Sequence, residues 1–332
     1  MPDPSLDVLC IGNAIVDVIA DATDDFLQRE GLVKGTMRLI DAEEAERLYS
    51  HMGPAHQVSG GSAGNTAAGV SALGGRAGFI GQVAPDQLGE FYRHDLTAAG
   101  VEFTTAATDV GAPTARSMIL VTPDGHRTMN TFLGAAQHLP ASALDEEQIR
   151  GSAILYLEGY LWDPETPRYA MVRAIEVARQ AGRKVAFTLS DTFCVDRHRD
   201  GFNALLDEGR IDILFANQAE VEALAGVAHL DSAVTAVSGR VETLVVTRSE
   251  DGALATRGGE RVEVAAEGIE TLVDTTGAGD LFAAGFLVGE ARGLGLESSL
   301  RLGAICAAEV IQHYGARPER NLRALASGVF GG

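Results

Sequence analysis

Apolar and polar positions divide this chain into two kinds of pattern. From about residue 150 onward, the short apolar runs "AILYLEG", "KVAFTLS", "DILFAN" and "ETLVVT" alternate with stretches of helical spacing, "TPRYAMVRAIEVARQAG", "FNALLDEG" and "QAEVEALAG". Apolar runs of that length read as buried strands, and the glycine closing each helical stretch reads as a stop. The alternation predicts an α/β fold, a mainly parallel sheet with helices on both faces. The first third differs. "DVLCIGNAIVDVIAD" reads as two strand-like pieces around Gly12 and Asn13, and "ARSMILVTPDGHRTMNTF" as a hairpin turning at Pro123, Asp124 and Gly125. These pieces have no crossover helix behind them. They predict a small separate β-sheet lid, inserted from segments of about 12–40 and 100–133. No repeat or low-complexity linker appears, so residues 1–332 are expected to form a single domain.

Three stretches carry candidate chemistry. In "DTTGAGDLFAAGFL", Gly277, Ala278, Gly279 and Asp280 stand directly before a helix that is apolar on almost every side. One capping side chain suffices for a helix start, and Thr275 or Thr276 could supply it. Glycines beyond that need suggest a backbone that a ligand approaches closely, with free N–H groups that attract an anion such as phosphate. The stretch is not a dinucleotide fingerprint, because Phe282 stands at the third glycine position. Nor is there a Walker A loop, because the chain contains no Gly-Lys pair.

"VSGGSAGNTAAGVSALGG" admits two readings from its residues. Gly60, Ser62 and Gly64 satisfy G-x-S-x-G, the nucleophile elbow of a serine hydrolase, with Asp280 and His313 as later partners for Ser62. The preceding "PAHQV" is short and polar where an elbow needs an apolar strand. Alternatively, Gly64, Ala67, Ala68 and Ala72 let a helix pack closely, which leaves Gly60, Gly61 and Asn65 unexplained. In "LFANQAEVEAL", Asn217 and Glu220 form either a capping box or part of a ligand site at the carboxyl end of a strand.

Composition narrows the partners. A formal charge of −20 over 332 residues argues against a nonspecific grip on nucleic acid or an anionic membrane. Cys10, Cys194 and Cys306 are too few and too scattered for a disulfide framework or zinc cluster, which suits a reducing, cytoplasmic setting. The N-terminus lacks the pattern of a signal peptide, and no stretch approaches the roughly 20 apolar residues of a membrane span. Monomer and homodimer both remain open.

Taken together, "GGSAGNTAAGVSALGG", "DTTGAGDLFAAGFL" and "NQAE", in that order, resemble the ribokinase family of carbohydrate and nucleoside kinases, also called the PfkB family. The resemblance extends over nearly the whole chain and implies a ribokinase-like, doubly wound sheet. It implies an ATP-dependent kinase with Mg²⁺, in which Asp280 is the base and Gly277, Ala278 and Gly279 form an anion hole. "GNAIVD" resembles the strand whose aspartate, here Asp17, grips ribose hydroxyls, and "GGSAGN" supplies Gly60, Gly61 and Asn65 to the same site. "DGHRT" resembles the lid segment whose arginine, here Arg127, reaches the transferred phosphate. "EGYLW" and "LSDTFCV" nominate Tyr160 and Phe193 as aromatic walls around a purine. Residues alone allow duller roles: Asp17 as an edge-strand charge, Arg127 as a turn flank, the two aromatics as core. The "NQAE" motif implies Glu220 near Mg²⁺, acting through water or phosphate, with Asn217. In "VVTRSEDGA" Ser249 replaces the first glycine of the usual T-x-G-x-x-G, while Thr247 and Gly252 remain as nucleotide contacts. The family further implies a monovalent cation, K⁺, near Asp274. The expected acceptor is a nucleoside, adenosine at its 5′-hydroxyl, or alternatively a sugar such as ribose or fructose. A silent sugar-binding or regulatory protein would have no use for Asp280 and its glycine loop.

Overall fold

The computed structural model describes residues 4–109 and 111–331. In chain order its strands are β1 (Leu6–Ile11), β2 (Ile15–Asp21), β3 (Met37–Leu39), β4 (Ala55–Gly60), β5 (Ala77–Ile80), β6 (Val101–Glu102), β7 (Ala115–Val121), β8 (Arg127–Phe132), β9 (Ser152–Glu158), β10 (Lys184–Thr188), β11 (Ile213–Asn217), β12 (Thr243–Thr247), β13 (Ala253–Arg257) and β14 (Glu260–Val264). They form a nine-stranded sheet, β14-β13-β12-β11-β10-β9-β1-β5-β6, and a five-stranded sheet, β3-β8-β7-β2-β4. The large sheet is parallel from β6 through β12, with β13 and β14 added antiparallel.

Helices α1 (Asp24–Arg29) and α2 (Ala42–His51) cover the small sheet. On one face of the large sheet lie α3 (Ser62–Ala72) and α4 (Gln87–Ala98). The opposite face carries α5 (Glu146–Arg150), α6 (Glu165–Gln180), α7 (Thr192–Asp207), α8 (Gln218–Ala225) and α9 (Leu230–Ser238). The chain then returns to the first face as α10 (Ala278–Ala291) and α11 (Leu296–Val310). The four apolar runs of the later chain are β9 to β12, and the α/β architecture with a second small sheet follows the expected pattern. Among the described residues no helix is long and apolar enough to cross a membrane.

The lid boundaries need correction. The first piece of "DVLCIGNAIVDVIAD" is not in the small sheet: β1 lies inside the large one, hydrogen-bonded to both β5 and β9. Its Leu9, Cys10 and Ile11 are wholly buried, as a strand covered on both faces requires. Its crossover back to β5 exists but is delayed, because the chain first builds β2 to β4 and only then α3. Strand β4 lies outside the expected lid segments yet pairs with β2, while β6, inside them, belongs to the large sheet. Both are short and carry little periodicity. Val110, within the second expected segment, lies outside the described residues.

One buried carboxylate joins the two sheets. Glu158 ends β9 with no exposure. Its Oε1 accepts from the Asn13 backbone N–H and from Asn13 Nδ2, both at 2.7 Å, and its Oε2 accepts from the Ala63 N–H at 2.7 Å. A Cβ on Gly12 would lie 2.3 Å from Oε2, so glycine lets the carboxylate in. The large sheet, the turn into the small one and the start of α3 thus share one anion. Burial pushes the Glu158 pKa up to about 7, against the pull of these N–H donors. Glu158→Gln should therefore destabilise the fold by about 1 to 3 kcal/mol, because the new amide NH₂ faces donors where acceptors are needed. An unfolding midpoint in urea equal to wild type would show that Glu158 ties nothing together.

Candidate active site

The glycine loop before α3 is built around two aspartates. Gly60 pairs with Ile15 of β2, and the Asp17 side chain, two residues along that strand, lies over it: a Cβ on Gly60 would lie 2.4 Å from an Asp17 oxygen. Gly61 has φ +82° and would drive a Cβ to 2.1 Å from the Asn13 carbonyl, so no other residue fits. The loop is pinned from outside: Asp95 of α4 accepts from Ser59 N–H and Oγ, and the Tyr92 hydroxyl donates to the Gly60 carbonyl. Helix α3 is buried from Ala63 to Val70, so close packing is also satisfied here. It presents Ser62 and Asn65 to Asp280: Ser62 Oγ donates to Oδ1 at 2.6 Å, and Asn65 Nδ2 donates to Oδ2 at 2.9 Å.

Neither threonine that could have capped α10 does so. Its N-cap is Gly277, at φ +80° and with no capping side chain, and a Cβ on Gly277 would meet Ala316 at 2.5 Å. The Ala278 N–H turns back to the Thr275 carbonyl, but among the described residues no protein acceptor meets the N–H groups of Gly279 and Asp280. Open space surrounds Gly279, where a Cβ would meet nothing within 4 Å. A helix start with free donors and the positive end of its dipole outward is suited to an anion. Asp280 lies inside the first turn. Loss of hydration raises its pKa, while the Ser62 and Asn65 donors and the Arg317 charge work against that rise.

Asp17 is not an edge-strand charge, since β2 lies between β4 and β7. Among the described residues no protein donor hydrogen-bonds its carboxylate. Burial pushes its pKa up to about 7, Arg317 and Arg127 pull it down, and Asp280 adds to the rise. Arg127 does flank the hairpin turn, and its side chain reaches further: the guanidinium lies 2.8 Å from Asp274 Oδ2, 3.4 Å from Thr276 Oγ1 and 5.6 Å from the Tyr314 ring centre.

The nucleotide-side residues are more scattered. Asn217 and Thr247 are register partners at the carboxyl ends of β11 and β12. Asn217 and Glu220 make a complete capping box, with a further bond from Asn217 Nδ2 to Glu220 Oε1 at 2.6 Å, so both Glu220 oxygens are engaged. Burial raises the Glu220 pKa to about 7. Among the described residues no group of three or more His, Cys, Asp and Glu is placed to hold a metal ion. Ser249 adopts a left-handed backbone, at φ +52°, a region that favours glycine, and Gly252 at φ +80° leaves no room for a side chain against the Val264 carbonyl. Tyr160 is half-buried and donates its hydroxyl to the Ser190 carbonyl. Phe193 is 71% exposed, so neither aromatic is core.

Two functional candidates escaped the sequence reading. Glu158 closes an apolar run whose pattern signals only a strand. Arg317, in the loop after α11, donates to the Gly64 carbonyl at 3.2 Å, to Ser59 Oγ at 2.9 Å and to the Ser59 carbonyl. Its charge acts on both Asp17 and Asp280. A lone arginine in a polar loop carries no pattern that would have singled it out.

Ser62 is no nucleophile here. Its hydroxyl proton is committed to Asp280, and His313 contacts Glu309 and the Tyr314 carbonyl instead. The model of the pfkB family of carbohydrate kinases matches residues 6–321. The chain belongs to this family. Like its relatives it is an ATP-dependent kinase, and the hydrolase reading falls. A solved structure of adenosine kinase from Sinorhizobium meliloti is 50% identical, superposes with a TM-score of 0.90, and is matched over 97% of this chain and 99% of its own. A "probable sugar kinase protein" from Rhizobium etli CFN 42 is 46% identical with a TM-score of 0.92, over 98% of this chain and 99% of its own. Adenosine kinase of Saccharomyces cerevisiae is 28% identical over 93% of this chain and 95% of its own length.

Ser62→Ala distinguishes positioning from nucleophilic roles. Removing a donor from the Asp280 carboxylate raises its pKa, so the acid limb of the kinase pH–rate profile should move to higher pH, with a modest loss at alkaline pH. A pH profile superimposable on wild type would remove Ser62 from the site.

Proposed function

We propose that this kinase transfers the γ-phosphoryl group of ATP to the 5′-hydroxyl of adenosine. Asp280 carries the reading: a carboxylate held by two donors from α3, in the first turn of a helix whose leading N–H groups lack protein acceptors. Asp280 takes the hydroxyl proton, the oxygen attacks the γ-phosphorus, and the bond to the ADP oxygen breaks. The Gly279 and Asp280 N–H groups, with the helix start, stabilise charge on the transferred group. Arg127 adds charge from the lid side; its Nε and one terminal nitrogen are buried without an aligned hydrogen-bond acceptor.

Support for a ribose acceptor comes from two unsatisfied acceptors. The Asp17 carboxylate is free of protein donors, and Asn65 Oδ1 is buried with no partner while its Nδ2 orients Asp280. Both suit hydroxyl donors. Phe193 and Tyr160 would face the base, where an aromatic surface otherwise left to water has a use. The small sheet bearing Asp17 and Arg127 would close over the acceptor and exclude water. Mg²⁺ is the family's usual companion of ATP, yet the residues do not fit a resident metal: Glu220 is spent on its helix cap, and among the described residues no acidic cluster replaces it. The ion would enter with the nucleotide phosphates, which Thr247 and the turn through Gly252 would help to seat.

The test is ADP release with ATP and Mg²⁺ across adenosine, its 2′- and 3′-deoxy analogues, inosine, ribose and fructose. Losing one hydroxyl should cost roughly tenfold to over a hundredfold in kcat/KM, and Asp17→Ala should flatten that difference. Ribose or fructose used as well as adenosine would overturn the nucleoside assignment in favour of a sugar kinase.

A further inference from the structure

The family implies a monovalent cation at Asp274, and the residues around Asp274 do not fit one. Its side chain is only 4% exposed, and its acceptor sites are largely taken. Oδ1 accepts from the Thr276 N–H at 3.0 Å, while Oδ2 accepts from the Gly315 N–H at 2.9 Å. Oδ2 also lies 2.8 Å from the Arg127 guanidinium, which is itself 7% exposed and flanked by the Tyr314 ring. A potassium ion sharing this carboxylate would sit against a permanent positive charge, with little water between to screen the repulsion.

We infer that Arg127 is this protein's built-in counter-cation at Asp274, holding the anion loop without bound potassium. Asp274 staples the segment entering Gly277 to the loop at Gly315, and Ala316 of that loop packs on Gly277. Neutralising Asp274 keeps a buried negative charge from opposing the phosphate that the Gly279 and Asp280 N–H groups would receive. Because Arg127 begins β8, the counter-charge is supplied by the small sheet, so lid and anion loop are set together. Arg127 is then a positioning residue at the loop as well as a phosphate contact. The inference rests on the anion-loop role proposed above.

Wild-type turnover should change by less than about twofold when KCl replaces tetramethylammonium chloride at equal ionic strength. In Arg127→Ala the vacated carboxylate should accept the ion: KCl, but not tetramethylammonium chloride, should raise the melting temperature and restore part of the lost kcat/KM. The double variant Arg127→Ala with Asp274→Ala should show neither effect. Wild type activated tenfold or more by potassium would overturn the inference, and so would an Arg127→Ala protein whose melting temperature ignores potassium. The wild-type comparison decides the matter even where the variant does not fold. Absence of turnover by wild type in any salt, with any acceptor, would instead count against the proposed reaction and leave the melting comparison to judge Arg127.

Discussion

The arrangement depends on one helix start that the protein leaves uncapped. Helix α10 begins at a left-handed glycine with no side chain over its first N–H groups, although threonines stand immediately before it. Gly279 is exposed at this start, so its unpartnered donors face water or, as proposed, a phosphate. The same turn carries Asp280, and Asp17 adds to the local negative potential in a chain of formal charge −20. An incoming polyanion would be repelled unless fixed positive charge stood close by. On the proposed reading Arg317 supplies such charge, acting on both Asp17 and Asp280, while Arg127 offsets Asp274, and both side chains are held by partners in the fold.

The two sheets divide the remaining work. The large sheet delivers strand ends and the helix start; the small one delivers Asp17 and Arg127. What relates them is the buried Glu158 contact with Asn13 and Ala63, a rigid link where the chain crosses between sheets. On α3 the link at Ala63 lies between Ser62 and Asn65, the two residues that bond Asp280, so the setting of the proposed base and the junction of the two sheets share a common anchor.

Much of this was legible in the sequence where a local rule governs. Strands β9 to β12 are continuous apolar runs, and the turn at Gly125 follows its residues. Gly60, Gly61 and Gly277 mark places where a side chain would collide with Asp17, Asn13 or Ala316. What failed to show was non-local. Strand β1 looked like its neighbour β2 because nothing within it says which sheet it will join. Strand β4, with its exposed Ala55, His56 and Gln57, has no apolar period to read. Thr275 and Thr276 suggested a cap by type, but the tight turn at Gly277 puts the helix start beyond them. Ser62 satisfied a hydrolase pattern, and only the fold reveals that its hydroxyl serves Asp280 across 218 residues of sequence. Asn217 and Glu220 form the capping box that local rules describe, which is why their spacing alone could not distinguish a cap from a metal site.

The role proposed for Asp280, a base at an anion-binding helix start, is decided by Asp280→Asn, assayed for both turnover and adenosine binding. The variant keeps a side chain of the same shape but cannot take the proton. Its kcat should fall roughly 10²- to 10⁴-fold with the adenosine dissociation constant changed only several-fold. Turnover near that of wild type would contradict that role.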